Sequence, residues 1–348
     1  MAYFRGMKER FAVIALGGNA ILRKDQPADP SVQMANLRKA VDNLAIALDR
    51  YTSFALTHGN GPQVGNDLIR SFRAWETTGL PQLGLADCVA NTQGRIGHWI
   101  VKEMKNHERF RDFPVACVLT HVHVEKNKFT QDEYTKGVGP WVPNTPDIRK
   151  ELENHGIIYI ISDDKKELRR VVPSPRPVAI EEFRAIADMV ASGTITICCG
   201  GGGIPIFNPN HGTKITDEKI ERFAQSDVVI DKDHASSLLA SGMLNDLRFE
   251  GADVDLLILM DAKGLYRDSK CRDEDFIGEM TLDELEAFID ETDLQAGTIL
   301  PKLESIRDFL LAGGRQAFLG PLDGFEKVFM EDEAVGTRFR NSPQLSLY

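Results

Sequence analysis

The stretch FAVIALGGNAIL, Phe11 to Leu22, decides how the chain is read. Six largely apolar residues, Phe11 to Leu16, run straight into Gly17-Gly18-Asn19, the order expected of a buried strand that stops at a tight turn with little side chain. Glycines in such a turn let backbone N–H groups approach a ligand, and a helix starting just beyond adds its positive end, so the turn suits an anion such as phosphate. An ordinary strand-to-helix turn explains this stretch better when it is taken alone. Recurrence along the chain is what favours the anion.

Ser53 to His58 reads as a second short strand, and it too ends in a glycine turn, Gly59-Asn60-Gly61, with Pro62 placed to begin a helix. Ile195 to Cys199 is a further strand, followed by Gly200 to Gly203. Further strands are expected at Pro114 to Val122, Val228 to Ile230, Asp255 to Met260, Gln316 to Leu319 and Gly336 to Phe339. Helical spacing predicts helices over Ser31 to Tyr51, with Ser31 as N-cap, over about Leu83 to His107, and over Glu181 to Ser192. Thr281 and Glu284 form a capping-box pattern ahead of another, and Pro301 opens one that should stop at Gly313-Gly314. Strands alternating with helices imply a mostly parallel sheet covered on both faces, with ligands beyond the carboxyl ends of the strands. The three glycine turns fall on that edge.

Residues from about 125 to 178 break the rhythm, being polar and turn-rich with strand signals only at Ile157 to Ser162 and Val171-Val172. They are read as a subdomain or lid inserted in a single domain over residues 11–340, with 1–10 a short extension and 341–348 a tail. A formal net charge of -11 argues against a general nucleic-acid binder, and no apolar run approaches the roughly 18 residues of a membrane span. Five cysteines without C-x-x-C spacing indicate neither a disulfide framework nor a zinc site, so a reducing, cytoplasmic setting is expected. His58, His121, His123 and His234 match no standard ligand spacing and are given structural roles. Cys271, flanked by Lys270 and Arg272, is expected to be the most reactive thiol.

If the three glycine turns meet, they supply many N–H donors to one anionic site. Lys232, within VVIDKD, and Lys302, at the start of the helix opened by Pro301, add the point charges that phosphate prefers. Phosphoryl transfer needs little beyond positioning and charge neutralisation, and an acceptor that is already an anion needs no base. No G-x-x-x-x-G-K-[ST] occurs and no G-x-G-x-x-G follows the first strand, so the chain is neither a P-loop protein nor a typical Rossmann dinucleotide binder.

Four motifs in this order, ALGGNA (Ala15 to Ala20), THGNGPQVG (Thr57 to Gly65), VIDKD (Val229 to Asp233) and GTILPKLE (Gly297 to Glu304), resemble those of the carbamate kinases, of the amino-acid kinase family, over nearly the whole chain. The resemblance implies an α/β fold, an open αβα sandwich with a protruding subdomain, assembled as a homodimer. It implies reversible phosphoryl transfer between MgATP and carbamate, run metabolically toward ATP from ADP and carbamoyl phosphate in arginine catabolism, with Mg²⁺ carried on the nucleotide and no nucleic-acid or membrane partner. By position it implies that Gly17, Gly18 and Asn19 cradle the transferring phosphoryl group and that Gly59, Asn60 and Gly61 hold the carbamate side. Lys232 and Lys302 would neutralise phosphates, Asp233 would hold the lysines, and Asp261 and Tyr266 would lie at the nucleotide. Many amino-acid kinases carry a lysine where this chain has Ala15. Carbamate kinases resemble this sequence in lacking it and use a subdomain lysine, which Lys136 in TKGVGP matches, with Gly137 where proline is more usual. The rival readings are another amino-acid kinase, against which Ala15 and the Gly59 to Gly65 turn argue, and a nucleotide sensor without turnover.

Overall fold

Strand β1, Arg10–Leu16, lies in the middle of an eight-stranded sheet, and from Phe11 to Leu16 every residue is buried. In the computed structural model, which describes residues 8–23, 26–125, 128–207, 224–225, 227–267, 275–292, 299–325, 327 and 335–341, two other strands flank it in parallel. These are β2, Ser53–His58, and β13, Asp253–Met260, aligned so that Leu16 pairs with His58 on one side and Leu259 on the other. The sheet continues past β2 through β10, Ile195–Ile197, to β3, Val115–Cys117, and past β13 through β17, Gln316–Pro321, to β18, Thr337–Arg340, and β16, Glu279–Thr281. Only the β17–β18 pairing is antiparallel, so β18 and β16 run against the other six strands. An αβα sandwich with a mostly parallel sheet is therefore present.

Helices cover both faces, and β1 shows why. Phe11, Val13 and Ala15 enter one core beside α5, Phe183–Ala191, α6, Lys232–Leu244, and α8, Leu300–Leu311. Ala12, Ile14 and Leu16 enter the other, with α1, Pro30–Leu44, and α3, Leu85–Asn106. A strand that feeds two cores must be apolar at every position, which is why its sequence is a continuous run and does not alternate. Each large side chain buried this way contributes about 1.5–3 kcal/mol of transfer free energy, so the core holds the sheet far more than any single turn does.

Several expected boundaries move, each for a local reason. Asp29, not Ser31, caps α1: its carboxylate accepts from the Ser31 N–H at 2.7 Å, and Pro30 takes the first helical position, where its missing N–H costs nothing. The chain then tightens into a 3₁₀ turn, Ala45–Asp49. Residues Pro114 to Val122 make two strands, β3 and β4, His121–Val124, in different sheets. Gln93 holds the crossing between them, accepting from the Thr120 N–H at 2.9 Å and donating to the Thr120 carbonyl at 3.2 Å. Val228 to Ile230 is buried but forms no strand and leads directly into α6, while Thr281 and Glu284 do form the expected capping box of α7, Leu282–Glu291.

A second sheet joins β4 to β9, Pro177–Ile180, β11, Ile204–Phe207, and β12, Ala224–Gln225. Beyond it, β8, Glu167–Pro173, pairs antiparallel with β5, Tyr134–Gly137, β6, Val142–Pro143, and β7, Tyr159–Ile161. Helix α4, Pro146–Asn154, in the same region escaped the hydrophobic pattern because none of its residues is fully buried, although Thr145 and Pro146 mark its start. Helix α2, Gly61–Thr78, follows β2, and a hairpin of β14, Leu265–Tyr266, and β15, Phe276–Ile277, follows β13.

Candidate active site

The three glycine turns meet at the carboxyl edge of the sheet. Gly59 follows β2 and lies against Gly18, which follows β1, so closely that a Cβ on Gly59 would sit 3.1 Å from the Gly18 Cα and N. The third turn, Gly200–Gly202, follows β10 and packs on the second. Gly201, at φ 65°, would place a Cβ 2.2 Å from the Asn60 side chain, and the neighbouring Gly202, at φ 92°, would place one 2.0 Å from the Ile230 carbonyl oxygen. Only glycine tolerates both that backbone and that approach. The segment Ile230 to Asp233 is thereby drawn into the same cluster. Helix α2 begins at Gly61, so its first amides lack intrahelical acceptors and face this edge with the positive helix end.

Three lysines from three distant elements converge on two aspartates of one short segment. Lys232 opens α6 and bonds the adjacent Asp233, whose other oxygen accepts from Lys302 of α8 at 2.7 Å. Lys136, on β5, bonds Asp231, and Asp231 also caps α6 by accepting from the Asp233 N–H at 2.9 Å. Lys232 and Asp233 are buried, with 9% and 2% exposure, whereas the Lys136 and Lys302 side chains remain partly accessible.

Burial opposes ionisation of Asp233, but Lys232 and Lys302 overcome it and hold the carboxyl well below the usual carboxylate range. Asp231 is likewise held low against burial, chiefly by Lys136. For Lys302 burial is outweighed by the charge and hydrogen bond of Asp233, so its pKa is raised. For Lys232 burial prevails over Asp233, with the Lys302 charge adding to it, and its pKa is lowered. The arrangement is a cationic platform whose negative partners are fixed beneath it, ready to accept further negative charge on the open side.

Among the expected nucleotide residues, Asp261 stands just beyond β13 and accepts from Asn19 Nδ2 at 2.6 Å, which ties the first glycine turn to the end of the neighbouring strand. Tyr266 lies on β14 and packs edge-to-face on Phe276 with ring centroids 5.5 Å apart. Asn60 is buried and donates to Thr92 Oγ1 at 2.8 Å, so its side chain braces the turn from below. Cys271 and the residues Gly297 and Thr298 of the fourth motif lie outside the described residues.

Asp231 was visible in the sequence as the first aspartate of VIDKD, but its partner, Lys136, comes from β5, about a hundred residues away in a sheet separate from the central one. A brace behind the platform was not read at all. Arg176 donates to His234 Nδ1 and to Asp308, each at 2.8 Å, and pairs with Glu304 at 2.8 Å, clamping the start of α6 to α8. The expected structural role of His234 agrees with this clamp.

His58, with 1% exposure, donates from Nδ1 to the Gly59 carbonyl at 3.0 Å, and burial pushes its pKa down to about 4. A histidine kept neutral in the fold binds fewer protons than the unfolded chain, so its contribution to stability falls as pH drops from about 6.5 toward about 4. Between pH 7 and pH 5 this one group is expected to remove about 2 kcal/mol. Urea unfolding at the two pH values checks this: the loss should shrink by about that amount in His58→Gln, and an unchanged loss would assign the pH dependence to other groups.

No family model matches the sequence. Individual proteins do. The chain is 33% identical to a carbamate kinase of Oenococcus oeni over 319 residues, which cover 91% of this chain and 95% of that one. It is 34% identical to a carbamate kinase of Thermococcus kodakarensis over 314 residues, 89% of this chain and 93% of that one. Among solved structures, the carbamate kinase of Giardia lamblia bound to AMP-PNP superposes with a TM-score of 0.80 at 30% identity, over 96% of this chain and 99% of that one. Likeness of this extent in sequence and in structure has one meaning: the chain is a member of the carbamate kinase family.

Proposed function

We propose that the chain transfers the terminal phosphoryl group between MgATP and carbamate, and that Lys136, Lys232 and Lys302 are the charges that make transfer possible. The observation that carries this reading is the convergence of those three lysines on Asp231 and Asp233 where three glycine turns meet. Gly17, Gly18 and Asn19 hold the transferring group through backbone amides, and Gly59, Asn60 and Gly61, at the positive end of α2, hold the carbamate side. The transition state spreads negative charge over phosphoryl oxygens, and lysines already fixed by buried carboxylates stabilise it without reorganising. Carbamate is an anion, so no side chain has to remove a proton. Asp261 and Tyr266 complete the nucleotide side, with Mg²⁺ entering on the phosphates. Residues 125–178 act as the subdomain that brings Lys136 over the substrates. Homodimer assembly, a cytoplasmic setting and use in arginine catabolism follow the family likeness, and free Cys88, Cys117, Cys198 and Cys199 suit a reducing compartment.

ATP formation from ADP, Mg²⁺ and carbamoyl phosphate by the purified protein tests the reading. Lys136→Ala should lose carbamoyl phosphate use by roughly tenfold or more while ADP binding changes little. Intact nucleotide binding without ATP formation by the wild type would overturn the reaction, and a Lys136→Ala enzyme like the wild type would remove that lysine from the site.

A further inference from the structure

Arg176 stands in the stretch Pro173-Ser174-Pro175-Arg176-Pro177, where the chain leaves β8 and enters β9. Proline fixes its own backbone and holds the residue before it extended, so Pro175 and Pro177 make a stiff strut bearing one long side chain. The strut begins at the root of the protruding region. The Pro173 carbonyl accepts from the Val229 N–H at 3.1 Å, and Tyr134 and Lys136 of β5 pair with Pro173 and Val172 of β8. Arg176 is therefore tied through its backbone both to the strand pair that carries Lys136 and to the segment that leads into α6.

Its guanidinium grips two helices. Nη1 donates to His234 Nδ1 and to Asp308 Oδ2, each at 2.8 Å, and Nη2 pairs with Glu304 at 2.8 Å. Glu304 and Asp308 lie one turn apart on α8, where like charges repel, and the guanidinium between them removes that conflict. Arginine can only donate, so Nδ1 of His234 accepts and the ring proton sits on Nε2, which faces Glu304 at 3.5 Å. Ser305 Oγ lies 2.9 Å from the same Nδ1 and donates to the Pro301 carbonyl at 2.6 Å, which extends the contact into the first turn of α8. His234 follows Lys232 by two residues and Glu304 follows Lys302 by two, about 200° around each helix, so the clamp holds both helices from behind their lysines. Arg176, Glu304 and Asp308 are partly exposed, and ion pairs so placed contribute little to folding. What they fix is the relative placement of α6 and α8.

We propose that Arg176 is a positioning residue for phosphoryl transfer, one that sets where Lys302 stands against Asp233 while touching no substrate itself; this rests on the phosphoryl-transfer reading. Lys302 Nζ meets Asp233 Oδ2 at 2.7 Å across the α6–α8 contact that Arg176 closes from the far side. With glutamine at 176 the two helix starts lose their shared fastening, and transition-state stabilisation falls although every lysine remains. ATP formation from ADP and carbamoyl phosphate, measured at high enzyme concentration, is compared in Arg176→Gln, Lys302→Ala and the double variant. Arg176→Gln should lower kcat roughly tenfold and leave the KM for ADP within about twofold, and Arg176→Lys should recover part of the loss. In the Lys302→Ala background the same change should cost less than about twofold, since a residue that acts through Lys302 then has nothing left to place. Denaturant midpoints should move little in Arg176→Gln. Wild-type turnover in Arg176→Gln, or equal fractional losses with and without Lys302, would overturn the proposal. So would a midpoint that collapses together with kcat and is not recovered by lysine, which would make the clamp a structural tie only. Turnover kept in Lys302→Ala would sink the reading of that lysine and the role of Arg176 with it, whereas turnover lost in Lys302→Ala and kept in Arg176→Gln sinks the role of Arg176 alone.

Discussion

Lys232→Ala is expected to lower turnover roughly a hundred- to a thousandfold while weakening nucleotide binding less than about tenfold. The reason lies in where the charge is held. Lys232 is buried at the start of α6, pinned by Asp233, so it has no freedom to follow a ground-state phosphate but is in place when charge develops. Removing it withdraws stabilisation that is greatest in the transition state, which shows in kcat more than in Kd. Lys302, more exposed and raised in pKa by the same Asp233, cannot replace it, since its helix approaches from the other side of that carboxylate. Steady-state kinetics beside nucleotide titration decides the matter, and equal losses in both would make Lys232 a binding residue only.

The second large effect concerns the carboxylate beneath. Asp233→Ala leaves Lys232 buried without its counter-charge and Lys302 without its anchor, and breaking a buried pair from one side costs about 3–5 kcal/mol. The sign of its pH dependence is distinctive. In the variant the folded-state pKa of Lys232 drops further below its unfolded value, so the unfolded chain binds more protons and stability rises with pH as the lysine sheds its charge. The gap between variant and wild type should therefore narrow between pH 7 and pH 10. Denaturant midpoints across that range measure it, and a gap that widens with pH would mean that the lysines find another counter-ion when Asp233 is gone.

Much of this architecture is legible in the residues. Continuous apolar runs ending in glycine mark the central strands, since a strand buried on both faces cannot alternate. The glycine turns are equally plain, because close approach of one backbone to another excludes every side chain. What could not be read was partnership across long separations. Nothing near Lys136 says that it meets Asp231, since the pairing depends on how β5 is carried by an antiparallel sheet with weak local signals. The Arg176 clamp was hidden for the same reason, its partners lying on α6 and α8. Helix α4 was missed because its surface placement leaves little hydrophobic pattern.

The two-sided burial of β1 has a bearing on how the phosphate turn finds its place. Usually a slipped strand betrays itself by turning polar residues inward, but here both sets of side chains are apolar and polarity cannot police the alignment. Size can. Toward the glycine turn one set tapers, from Phe11 through Val13 to Ala15, while the other swells, from Ala12 through Ile14 to Leu16. A shift by one residue would press the bulk of Phe11 into the space shaped for Ala12 and leave a void on the far side, and packed interiors tolerate neither. The strand thus carries opposed wedges on its two sides, and their volumes act as the ruler that sets Gly17 at the rim of the sheet.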